Sequence, residues 1–154
     1  MVPLAKVLRT HILAVIVFIA VFVGLCILDR YVAITSILAE RFHDVAQPLI
    51  GLSVSLIIFP FITVPAVENI VSKARELRIS VNLRLLEDYI NGCFTVFLLA
   101  LTEIIVIIIY SLLPSWVLLC VAFSVLGSLA VVLGILVLSL WQVMELLYRV
   151  VQQR

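Results

Sequence analysis

Four runs of apolar residues, each close to the length a helix needs to cross a bilayer, decide most of what this chain can become. The hydrocarbon core is about 30 Å thick, so a helix crosses it in about 20 residues. The first run is Ile12–Leu28, slightly short and closed by Asp29 and Arg30. The second runs from Pro48 to about Val67, the third from about Ile90 to Leu113, and the fourth from Ser115 to Leu140. None shows the ten-residue alternation of a membrane barrel strand, which leaves the helix as the form that satisfies every backbone group in lipid. Composition agrees. Hydrophobic residues make up 66% of the 154, charged residues only 12%, and mean hydropathy is +1.37. A soluble domain carries about 25% charged residues and has no means of hiding this much apolar surface. The expected fold is an all-α integral membrane protein with four transmembrane helices in one domain, residues 1–154, with no separate soluble module.

Charge sets the direction of insertion. Lys6 and Arg9 precede the first run as they would in a secretory signal, but no small-x-small cleavage site follows. The run therefore reads as an uncleaved signal anchor. Lys6, Arg9, Lys73, Arg75, Arg78, Arg84, Arg149 and Arg154 fall on one side of the membrane, and only Arg30 and Arg41 on the other. By the positive-inside rule both termini and the 68–89 loop are cytoplasmic, and the 29–47 loop faces the exterior or periplasm.

The outer loop carries Ile34, Ile37, Leu38, Phe42 and Val45 at helical spacing, with Thr35, Glu40, His43 and Asp44 mostly elsewhere on the wheel. This predicts a short amphipathic helix in the outer interface. One reading makes it a sensor of events at the outer leaflet. The other makes it a completion of the short first span that packs on the bundle. In the cytoplasmic loop two patterns compete. Ile79, Val81, Leu83 and Leu85 alternate as in a strand, whereas Ile79, Leu83, Leu86 and Ile90 share one helix face. A lone strand has no partner in so short a loop, so a helical hairpin is expected. Its charges, Lys73, Arg75, Arg78, Arg84, Glu87 and Asp88, are candidates for docking a cytosolic partner, together with Glu145 and Arg149 in the 141–154 tail. That tail keeps an apolar face of Val143, Leu146, Leu147, Val150 and Val151, which suits either a frayed helix end or a docking stripe.

Within the third run, LLALTEIIVIIIYS places Glu103 at membrane depth. Insertion of a charge there costs about 3 kcal/mol. Three arrangements lower the cost: uptake of a proton, hydrogen bonding to Ser or Thr on a neighbouring helix, or a water-filled lumen. No Lys, Arg or His lies at the same depth to pair with it. A tight turn at Leu113 and Pro114 puts Glu103 level with about Ser124, with Ser128 one turn deeper, so Glu103, Thr102, Ser124 and Ser128 form a candidate polar cluster. Gly127, Ala130 and Gly134 supply the small side chains that let helices approach closely. Pro60 frees the carbonyl of Leu56 inside the second span, and Pro65 is expected to bend or stop that helix.

Little else in the chain carries chemistry. Cys26, Cys93 and Cys120 are scattered through apolar runs and read as small hydrophobes. His11 and His43 sit at run edges and form no metal pair. No phosphate-binding loop, nucleophile triad or basic nucleic-acid stripe is present, so no enzyme, cofactor or direct nucleic-acid binding is expected. Four spans alone make a poor pore, which predicts a homo-oligomer, a tetramer in the first instance. Two functions fit. The chain is an anchor or sensor that holds a cytosolic partner, or an ion channel with Glu103 near the path. In layout, the N-in spans, the loop VSKARELRISVNLRLLEDY and the tail MELLYRVVQQR resemble the four-span membrane subunits of bacterial anti-phage defence systems of the Kiwa type. The resemblance implies an oligomeric subunit of the bacterial inner membrane that senses or anchors for a cytosolic effector. Other defence effectors of similar size act as channels, and small immunity proteins against pore-forming toxins share the layout.

Overall fold

Lipid offers the backbone no hydrogen bonds, so each apolar run closes its own and becomes a helix. The computed structural model describes residues 4–77, 79, 81 and 83–152, and their side chains apart from those of 4–9, 35, 43 and 83–85. Four helices follow in order: α1 (Leu4–Val32), α2 (Ile34–Glu76), α3 (Leu83–Leu112) and α4 (Trp116–Gln152). All four are long and apolar enough to span, over Thr10–Val32, Asp44–Glu76, Leu86–Leu112 and Trp116–Gln152. The chain crosses back and forth, so both termini and the α2–α3 link share one end of the bundle. At that end the helical hairpin prevails over the strand: Ile79 and Val81 lie in the link, and α3 begins at Leu83. No strand occurs among the described residues.

The outer segment differs from expectation. It forms no separate interfacial helix but the first turns of α2, which runs unbroken through Pro48, Pro60 and Pro65. Pro65 therefore does not stop the helix. Each proline removes one ladder bond, and packed neighbours hold the geometry. The predicted apolar face of this segment is split in two. Phe42 is buried against Tyr110 of α3, ring centroids 4.3 Å apart, and Leu38 packs on the same cluster. Ile34 is half-buried, and Ile37 faces outward. His43 and Thr35 have side chains outside the described set.

α2, α3 and α4 pack on one another, and α1 lies against α4 from outside. The three packed helices each bury a stripe with the alternating four-three spacing of a coiled-coil seam. On α3 it is Tyr89, Cys93, Val96, Ala100, Glu103 and Ile107. On α4 it is Val125, Leu129, Val132, Leu136, Val143, Leu146 and Val150. On α2 it includes Ala46, Ser53, Val67, Val71 and Ala74. The apolar core is not continuous along these seams. One cluster at the terminal end joins Val71, Ala74, Tyr89, Val132, Val143 and Val150. A second at the opposite end joins Phe42, Ala46, Ile107, Leu119 and Ala122.

A single residue, Ala33, joins α1 to α2, with φ 48° and ψ 42° in the left-handed region. Its amide donates to the carbonyl of Asp29, and its carbonyl accepts from the hydroxyl of Ser36 at 2.7 Å. Left-handed backbone costs an L-residue about 1 kcal/mol. Ala33→Gly is therefore expected to be neutral or stabilising. Ala33→Val, whose branched side chain that region excludes, should lower stability by more than about 1 kcal/mol. Thermal unfolding in detergent gives the order of the three proteins.

Candidate functional site

Between the two apolar clusters lies a layer of polar and small side chains. The contact of Gly92 with Leu136 sets the register of α3 on α4. Equal steps along the two antiparallel helices bring Glu103 opposite Val125, with Ser124 and Ser128 within a turn. The Phe61–Phe97 ring contact, 6.2 Å between centroids, sets α2 in the same way and brings Ser53 within a turn of that level. Ser53, Glu103, Ser124 and Ser128 are all buried. The structure thus brings Glu103, Ser124 and Ser128 to one level, and Thr102 does not join them. Thr102 is exposed on the outer surface of α3, and its hydroxyl donates to the carbonyl of Leu98.

Glu103 occupies a core position of the α3 seam and is 1% exposed. Neither carboxyl oxygen has a hydrogen-bond partner among the described residues. The serines at its level are committed elsewhere. Ser124 Oγ donates to the carbonyl of Cys120 at 2.6 Å. Ser128 Oγ lies within hydrogen-bonding reach of the carbonyls of Ser124, at 2.9 Å, and of Ala14 on α1, at 3.0 Å. At this level the polar tie between helices is thus Ser128 to the α1 backbone, not Glu103 to α4. Among the described residues the acid is an unpartnered polar group set into a packed seam.

Small residues that share spacing on α4 serve different neighbours. A side chain at Gly127 would meet Val21 of α1 at 3.1 Å, so this glycine is where α1 approaches α4. Ala130 and Gly134 are exposed, and nothing described lies within 4 Å of a Cβ built on Gly134. Within the single chain Ala130 and Gly134 therefore pack against no described helix; they face outward.

At the terminal end the helices run on past the length a bilayer requires. Trp116 and Trp141, both exposed, lie about 37 Å apart along α4, the separation of the two interfacial belts where tryptophan concentrates. Beyond Trp141, Val143, Leu146 and Val150 stay packed against α2 and α3. That part of the predicted tail stripe is consumed within the fold, whereas Val151 is exposed. Lys73, Arg75 and Asp88 stand on the surface of the projection and Glu87 is half-buried. Glu145 and Arg149 pair with each other at 2.7 Å. Arg78 and the side chain of Arg84 lie outside the described residues.

Two polar features escaped the sequence reading. Tyr89 is fully buried, with Thr63 and Cys93 as polar neighbours and no partner in hydrogen-bond geometry for its hydroxyl among the described residues. His11 Nδ1 lies 3.2 Å from Thr95 Oγ1, and its ring meets Phe94 edge-on, so α1 touches α3 through a histidine. The heptad phase of Tyr89 relative to Glu103 was the available signal for the first. Nothing in the sequence marked the second.

Comparison with protein-family models, with curated proteins and with solved structures finds no match to this chain.

An unsatisfied polar group in a packed seam costs about 1–3 kcal/mol. Glu103→Leu should accordingly raise the bundle's stability by about that amount, and Glu103→Gln should leave it folded with little gain. Unfolding in detergent, followed by loss of helix signal, measures both. A Leu variant less stable than the parent would mean that the carboxyl is satisfied by something the single chain does not supply. Ser128→Ala should cost about 0.6 kcal/mol, the usual worth of an interhelical bond in lipid. The same unfolding assay reads that loss.

Proposed function

We propose that this protein is a membrane anchor and sensor subunit that holds a soluble protein on its projecting end. The observation that carries the reading is the packed three-helix projection of α2, α3 and α4, which continues the membrane core into water and bears exposed charge at Lys73, Arg75 and Asp88. A chain whose task ended in the bilayer has no use for a packed extension there. The excess of Lys and Arg in the loops supports placing this end, with both termini, in the cytoplasm of a bacterium with the chain in its inner membrane. The layout shared with Kiwa-type membrane subunits supports a defence effector as the soluble partner. Glu103, in the same α3 seam as Tyr89, is the locus through which a membrane event reaches the projection: any event that draws the carboxyl toward water must part the seam.

The channel reading has less support. Glu103 is enclosed by its own chain, so a path between copies does not reach it without separating α3 from its neighbours.

Lys73→Glu with Arg75→Glu should abolish stoichiometric co-purification of a cytosolic protein from the native host while the membrane protein stays folded. Retention of that protein would remove the projection as its docking surface. Planar-bilayer recording of the pure protein is expected to show no current. A unitary conductance lost in Glu103→Gln would establish the channel instead.

A further inference from the structure

α4 carries a second seam that nothing among the described residues covers. Ala130, Gly134, Val137, Trp141, Met144 and Tyr148 are all exposed and repeat with the same alternating four-three spacing as the buried seam; Val151 extends the series. Trp141 is 75% exposed and Tyr148 63%. We propose that copies of this chain meet through this face, α4 against α4, parallel and in register.

The face crosses from lipid into water, and that limits what can cover it. Ala130, Gly134 and Val137 lie at membrane depth, beyond the reach of a soluble protein. Met144, Tyr148 and Val151 lie past the Trp141 belt, where lipid tails do not cover them. One occupant for the whole face must be a membrane helix that runs on into water with the same heptad phase. α4 is such a helix, and two copies inserted by the same rule present it in the same direction. Small side chains at Ala130 and Gly134 permit close approach inside the membrane, and the aromatic pair supplies area outside it. Trp141 and Tyr148 alone offer on the order of 250 Å² per copy. This is about a third of the roughly 800 Å² that a stable pair buries on each side, leaving the other positions and the flanking Leu138 to supply the rest. Charge does not oppose the pairing. Glu145, the acid bordering the seam, is already neutralised by Arg149 of its own helix at 2.7 Å.

Gly134 makes the test clean, because a Cβ built there meets nothing within 4 Å among the described residues. Gly134→Ile should leave the helix content and melting of the single chain intact, while the oligomer, sized by light scattering in mild detergent, weakens about tenfold or more. In parallel, the full chain with Cys26, Cys93 and Cys120 replaced receives single cysteines and is oxidised in membranes. Val137→Cys, Met144→Cys and Val151→Cys should form disulfide-linked pairs, and the exposed controls Leu98→Cys and Ile105→Cys on α3 should not. A monomeric parent, an oligomer indifferent to Gly134→Ile, or cross-linking as strong at the α3 controls overturns the proposal, as does capture of a different membrane protein at the α4 positions. Should the cysteine-free chain fail to fold, the Gly134→Ile comparison on the native cysteines decides alone.

Discussion

In hydrocarbon an apolar side chain gains nothing by leaving lipid for protein, so helices must be held by the fit of their surfaces and by the few polar bonds they share. Everything in this bundle follows from that rule. α2, α3 and α4 are joined by three complementary heptad stripes. α1, which has no such stripe, is held by Ser128, by the notch at Gly127 and by His11. Once the helices leave the membrane the same stripes continue in water, where burial of Val143, Leu146 and Val150 adds the ordinary hydrophobic gain.

The four spans were legible because their length and polarity answer to the thickness of the bilayer. The depth of Glu103 relative to Ser124 was legible too, because a tight turn leaves antiparallel helices one register, which Gly92 and Leu136 display. Direction around each helix was not. In a soluble protein the polar face tells which side is out, but here the lipid face is as apolar as the core. Ala130 and Gly134 therefore looked like bundle packing and turned outward, Thr102 looked like a companion of Glu103 and faces away, and the tail stripe looked free although most of it is occupied. The outer segment misled for a related reason. Its apolar positions suit an interface, and only the packing of Phe42 on Tyr110, with Leu38 in the same cluster, shows that some of them serve the bundle.

The polar layer gives the molecule an uneven interior. Two well-packed apolar clusters are separated by Ser53, Glu103, Ser124 and Ser128, none of which bonds Glu103. A seam that tolerates a misfit at one core position gives up stability for specificity of register or for responsiveness.

The placement of α1 has a consequence for biosynthesis. It is made before α4, the helix it mainly rests on. Until α4 is made, α1 has only its lesser contacts with α2 and α3 and otherwise faces lipid. Its uncharged stretch from Ile12 to Leu28 is suited to that wait. The single-residue joint at Ala33 keeps it tethered beside α2 meanwhile, until the Gly127 notch and the Ser128 hydroxyl of α4 arrive to clasp it.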